Sequence, residues 1–121
     1  MEAVNVSVLR GPVSAVPEIR ALPSGRRVAS LAVRTAAADG RSTSVPVTLW
    51  DPPAWVETLT AEDDVLVVGR VRRRFFRAAS GGSGARTDVE AEVLARARDR
   101  RRLAALLRRI DRELERLDDV Q

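Results

Sequence analysis

At 121 residues, the chain has the length of one small domain with room for a short appendage. It contains no cysteine and no histidine, which excludes disulfides, a thiolate nucleophile, a cysteine-ligated metal and the commonest general base. Its net charge of +4 comes from 21 basic residues, every one arginine, against 17 acids.

Hydrophobic content of 45% suffices for a core, but the only aromatics are Trp50, Trp55, Phe75 and Phe76. Arginine in place of lysine throughout fits GC-rich coding; its clustering at 70 to 77 does not follow from that. Met1 is not followed by a basic segment and an apolar run, so no secretory signal is expected. No apolar run approaches the roughly 18 residues of a membrane span. The expectation is a cytoplasmic protein with no membrane association.

The body reads as mainly β. Residues 4–10 alternate and stop at Gly11-Pro12, and residues 18–22 make a short strand closed by Pro23, Ser24 and Gly25. The next strand runs over 27–35, followed by a polar loop to Ser42. Residues 43–50 place Val45, Val47 and Leu49 on one face and Ser44, Thr48 and Trp50 on the other. Pro46 within this strand predicts an edge or bulge position. Asp51 is placed to cap a short helix over 54–59 that carries Trp55. Short strands with turn signals at this spacing suggest a sandwich or small barrel.

A long hairpin, 64–77 and 86–95, completes the body. Its first strand runs into Arg70, Arg72, Arg73, Arg74 and Arg77, and a Gly/Ser-rich tip turns it back. Alternation places Arg70, Arg72, Arg74 and Phe76 on one face and Val71, Arg73 and Phe75 on the other. The first face is expected outside and Phe75 inward. Cations beside a ring that stacks on a base are what single-stranded nucleic acid binding requires.

From Arg96 the pattern becomes helical. Leu103, Leu107, Ile110, Leu114 and Leu117 are spaced as an a/d seam over about two heptads, with Leu106 widening it. This divides the chain into a body, 1–95, and a C-terminal amphipathic helix, 96–121, for oligomerisation or self-packing. A partner subunit is the favoured neighbour of the seam. The arginines of this segment, among them Arg98, Arg100, Arg101, Arg102, Arg108 and Arg109, could add phosphate contacts. Asp63-Asp64 and Asp118-Asp119 read as surface acids; no metal and no other cofactor is expected.

Several of these segments, in order, resemble the bacterial single-stranded DNA-binding protein family. Residues 4–11 look like its first strand, and Pro17-Glu-Ile-Arg-Ala-Leu-Pro-Ser-Gly25 is similar to its next segment. Residues 28–35 look like the strand after that. Pro46-Val-Thr-Leu-Trp50 with the following Ala-Trp-Val turn, and residues 65–76, resemble its apolar strand and its hairpin. The resemblance covers residues 3 to 95 and implies an OB-fold, a five-stranded Greek-key barrel that binds oligonucleotides, here with an added C-terminal helix. It places Trp50 and Phe76 at base-stacking positions and Arg72 and Arg74 at basic ones. Two further stacking positions fall on Ser44 and on Ala36 or Ala37. The family's acidic tip, which recruits partner enzymes, has only a faint echo in residues 117–121, so partners of that tip are not expected.

The reading is thus a non-enzymatic, SSB-like protein. It binds single-stranded DNA without sequence readout, through Trp50, Phe76, Arg34, Arg70, Arg72, Arg74 and Arg77. It acts as a nucleoid-associated accessory factor in replication, repair or recombination, and as a dimer or tetramer. RNA is not separated from DNA by anything in the sequence. The rival reading is an OB-fold assembly module with weak or lost nucleic-acid binding.

Overall fold

The computed structural model describes residues 3–118. Six strands form one sheet: β1 (Ser7–Pro12), β2 (Glu18–Ala21), β3 (Arg27–Ala36), β4 (Ser42–Trp50), β5 (Asp64–Arg77) and β6 (Ser83–Arg96). A 3-10 turn (Ala54–Thr58) joins β4 to β5, and helix α1 (Arg100–Asp118) follows β6. The strand order is β1-β5-β6-β4-β3-β2, with β4 and β6 parallel and the other neighbours antiparallel. The short strand expected over 18–22 is β2, which lies along the start of β3 and brings the sheet to six strands.

The ladder itself stays open, with β1 and β2 at its two ends. The end of β1 nevertheless curls over β3. Val13 bridges Val33, and the Ser14 amide donates to the Ala32 carbonyl at 2.9 Å. Glycine permits this crossing, because a Cβ on Gly11 would lie 1.9 Å from the Arg34 carbonyl oxygen. Gly11 and Pro12 are thus the last two residues of β1.

Inside the curl sits the core. Val13, Val33, Val47, Val56, Leu59, Val65 and Val67 are fully buried there, with Ala29, Leu31, Leu49, Val89 and Leu94 around them. The strand β4 alternates as its sequence predicts, with Val47 and Leu49 buried. Pro46 is not on an edge strand, since β4 lies between β3 and β6. Its ladder to β6 begins only at Val47, so no amide donor is needed from residue 46 on that side. Trp55 packs against the core, with the Arg96 guanidinium 5.5 Å from its ring centre. The turn that carries Trp55 has no side-chain cap; the carboxylate of Asp51 faces Arg26 and Arg27 instead.

The hairpin β5–β6 serves two environments. Val65 to Val68 are buried, whereas Arg70 to Arg73 are exposed. The change comes at a bulge. Val68 faces Val93 and Gly69 faces Ala91, which leaves Glu92 without an opposite residue. A Cβ on Gly69 would meet the Glu90 carbonyl oxygen at 2.1 Å, so glycine permits the bulge to close. Beyond it the strands continue as a two-stranded arm to a turn at Ala78–Gly82, where Gly81 adopts φ 91°. The Asn5 side chain brackets the base of the arm: its Nδ2 donates to the Val71 carbonyl at 2.8 Å and its Oδ1 accepts the Val71 amide at 3.0 Å.

Asp99 begins α1, its Oδ1 accepting the Arg102 amide at 3.2 Å as an N-cap does. The helix packs on its own barrel. Leu106 is buried with Leu66 and Ala95, and Leu103 and Val93 lie against them. The predicted seam is therefore split. Ile110 is half-buried, whereas Leu107 and Leu114 are 49% and 55% exposed. Leu106, expected only to widen the seam, is its most buried member. The Leu117 and Asp118 side chains, and Asp119 altogether, lie outside the described residues. No described helix is long and apolar enough to cross a membrane.

This packing sets an asymmetric expectation for neighbouring leucines. Leu106→Ala should destabilise the fold by about 2 kcal/mol, the low end for a buried leucine, because its cluster is small. Leu107→Ala should change the stability of a monomer by less than about 0.5 kcal/mol. Urea denaturation of both variants checks the difference; equal costs would place the helix differently.

Candidate nucleic-acid interface

The outward face of the sheet is built by strand register. Arg20 lies opposite Val28, and Val28 opposite Trp50. Thr48 lies beside Glu90, and Glu90 opposite Arg70. Arg34 lies opposite Ser44. Residues paired in this way share a face, so one continuous surface runs from β2 to the arm. It holds Trp50, Arg34, Arg70, Arg72, Arg74 and Phe76 on the same side, as their alternation predicts.

The charge on this surface differs from the cationic groove expected. Asp88 lies opposite Arg72 and Glu90 opposite Arg70, with Glu92 at the bulge. Each arginine of the row finds one of these carboxylates. Arg70 Nε is 2.9 Å from Glu92 Oε1, Arg72 pairs with Glu90, and Arg74 Nε is 3.2 Å from Asp88 Oδ2. Hydrogen bonding to Glu90 raises the Arg72 pKa further above its ordinary value. Arg34 is likewise held, by Glu62 at 2.6 Å. The row is thus a ladder of ion pairs.

The rungs are unequal. The Arg70 and Arg72 side chains are more than half exposed, and such pairs are worth about 0–1 kcal/mol, little enough to yield to a phosphate. Asp88 is 5% exposed and accepts the Thr48 hydroxyl at 2.7 Å. Its Oδ1, and Nε and Nη2 of Arg74, make no hydrogen bond of good geometry. Breaking this buried pair would strand a charge, at about 3–5 kcal/mol. Arg74 is therefore held in the face by a pair that is costly to break.

The opposite side of the arm carries Val71, Arg73, Phe75 and Arg77. Across from them lie Val89, Thr87, Ala85 and Ser83, with no carboxylate. Neither phenyl group turns inward. Phe75 is 77% exposed and Phe76 53%, because the arm has left the barrel by that point. Arg73 lies 5.2 Å from the Phe75 ring centre. Phe76 lies across from Gly84, where a Cβ would be 2.7 Å from the ring. Arg77 and Arg86, like Arg73, have no carboxylate partner among the described residues.

Trp50 is half-buried and covered by its own chain. The Arg26 guanidinium carbon lies 4.6 Å from the ring centre. Its Nε and Nη2 both donate to Asp51 Oδ2, at 3.1 and 2.9 Å. At the other stacking positions drawn from the resemblance, Ser44 shares a hydrogen bond with Ser14 at 3.2 Å, and Ala36 and Ala37 are exposed. The site residues drawn from the sequence leave out Arg26 and the three carboxylates, and they place Arg73 and Phe75 on the arm's other face. The carboxylates were legible: with the turn at 78–82 as the hairpin's centre, Asp88 and Glu90 fall opposite Arg72 and Arg70. No group of three or more potential metal ligands is found among the described residues.

The Asp51 clamp has an acid limit. The hydrogen bond from Arg26 holds the Asp51 carboxyl below its ordinary value of 3.8. A depressed carboxyl stabilises the folded state above its unfolded pKa, and the contribution is lost as pH falls through the folded one. With Trp55 replaced by phenylalanine, Trp50 emission should hold steady from neutral pH down to about that ordinary carboxylate value and change only below it. Asp51→Asn should show the acid-type emission already at neutral pH. A transition well above the carboxylate range would contradict the clamp.

No protein-family model matches the chain, and no curated protein does either. Among solved structures it is similar to a deletion mutant of the single-stranded DNA binding protein from Thermus aquaticus. The identity is 28%, the TM-score 0.63, and the match covers 77% of this chain. The same match spans 40% of the Thermus aquaticus chain. The curled sheet, its strand order and this likeness give one conclusion: the chain has an OB-fold like that of the single-stranded DNA-binding proteins.

Proposed function

We propose that the protein binds single-stranded DNA without sequence readout, through the arm and the adjoining outward face of the sheet. The observation that carries this reading is the arm itself. It projects beyond the core and holds two exposed phenyl groups beside Arg73, Arg77 and Arg86, which have no carboxylate partner among the described residues. Rings of this kind stack on bases of any sequence, and free guanidinium groups take phosphate oxygens in pairs. The likeness to the Thermus aquaticus protein supports the same reading. Nothing in this chemistry requires a catalytic residue or a cofactor, and the role we assign is an accessory one in DNA replication, repair or recombination.

The cations divide by their partners. Arg73, Arg77 and Arg86 are the primary phosphate ligands; Arg70 and Arg72 join by exchanging carboxylate for phosphate. Arg34, whose pair with Glu62 is exposed, exchanges in the same way, and Arg74 holds the face in shape. The ion-pair ladder also favours a second reading, an assembly module with little nucleic-acid affinity, because it removes the net positive charge of that row.

Assembly is proposed through α1. Its first half, Arg100 to Arg109, carries five arginines and no acid; residues 110–118 carry four acids against two arginines. This order opposes the helix dipole, which favours acids at the N-terminus and bases at the C-terminus. An antiparallel α1 from a second copy would set basic end against acidic end and cover Leu107 and Leu114. Light scattering on a chain cut after Ala97 tests this: the subunit number should fall. An unchanged number would leave α1 as a cover for its own barrel.

Anisotropy of a labelled oligo-dT tests the ligand. Phe75→Ala and Phe76→Ala should each weaken binding by about 1–3 kcal/mol. Arg73→Ala and Arg77→Ala should each lower the log–log salt slope by about 0.7. Arg74→Ala should lower stability more than it lowers that slope. Undiminished binding by both phenylalanine variants at low salt would favour the assembly reading.

A further inference from the structure

We infer that Arg26 is the stacking surface at the Trp50 position: a nucleobase would lie on the Arg26 guanidinium, with the indole beneath it as a second layer. This rests on the single-strand reading of the same face. Trp50 alone would be a simple platform, but it is not bare. The guanidinium of Arg26 sits over its ring at 4.6 Å. The Arg26 side chain is 53% exposed, so the group faces the indole on one side and water on the other.

The arrangement is held in place by its own turn. Asp51 follows Trp50 directly and adopts φ 48°, a left-handed conformation that aspartate tolerates better than most residues. Its amide donates to the Arg27 carbonyl at 2.8 Å, which ties the end of β4 to the start of β3. Its Oδ2 takes both Nε and Nη2 of Arg26. Two charge-assisted bonds from one edge of the guanidinium fix where the group lies.

A base arriving here has two routes. Displacing Arg26 would sacrifice both bonds to Asp51 and the contact with the indole. Lying on the guanidinium keeps all of them and adds a stacking contact, since arginine planes accept unstacked bases as aromatic rings do. It also leaves a cation beside the phosphates that flank that base. The second route loses nothing already formed, so the stack of indole, guanidinium and base is the favoured one.

The test uses the full chain with Trp55→Phe, so that Trp50 is the only fluorophore. Labelled oligo-dT anisotropy gives affinity, and Trp50 emission reports direct contact with a base. The parent should bind with little quenching of Trp50. Arg26→Ala should bind about fivefold or more weakly, one stacking contact having gone, and should now quench on binding. Arg26→Lys should lose the same affinity while keeping the parent's salt slope, because charge remains and the plane does not.

Tighter binding by Arg26→Ala, with strong quenching in the parent, would overturn the stack and make Arg26 a displaced lid. Full affinity in Arg26→Lys would reduce its role to charge and overturn the stack as well. Unchanged affinity in Arg26→Ala, with binding still lost in Phe75→Ala, would overturn the stack and leave the single-strand reading standing. A parent that fails to bind oligo-dT at low salt overturns both.

Discussion

The bulge at Gly69 is the constraint on which the rest of the structure depends. One pair of strands must line a valine core at one end and carry a row of arginines at the other. The bulge makes that change of environment possible within a continuous hairpin. It requires a residue with no side chain, since a Cβ at position 69 would collide with the Glu90 carbonyl. It also leaves Glu92 unopposed, free to meet both Arg70 and Arg109. The same irregularity that launches the arm thereby ties it to the helix.

Register beyond the bulge decides the electrostatics. Acids and arginines alternate along the two strands in step, so Arg70, Arg72 and Arg74 of the outward row are matched by three carboxylates, whereas Arg73 and Arg77 on the reverse side face none. Counting arginines would assign the strongest phosphate surface to Arg70, Arg72 and Arg74. Counting partners moves the proposed surface to Arg73 and Arg77 on the reverse side and to Arg86, which lies on the outward face across from Arg74. The two assignments name different arginines of one hairpin, and the difference is whether a carboxylate pairs with each. Burial adds a second division, because an exposed pair exchanges partners cheaply and the buried Arg74–Asp88 pair does not.

The fold was largely legible in the sequence, because alternation in β4, the valine run of β5 and the helical spacing after Arg96 are local signals. The OB-fold came from several weak motifs in order. What local signals could not supply was contact between distant segments. Pro46 looked like an edge residue because the parallel ladder starting at Val47 depends on β6. Asp51 looked like a helix cap because Arg26 is far back in the sequence. Phe75 was turned inward on the premise that the arm lies on the barrel, and the premise failed at the bulge. The leucine spacing alone marks a single stripe, yet the barrel takes one edge of it, centred on Leu106, and leaves Leu107 and Leu114 uncovered.

The central claim is that single-stranded DNA lies along the arm and over the Arg26–Trp50 position. Backbone amide chemical shifts, followed while oligo-dT is added at low salt, test it most directly. The account predicts shifts in residues 71–77 and 83–87 and around Arg26 and Trp50, with α1 little changed. Shifts confined to α1 and β1, or none at saturating strand, would contradict it.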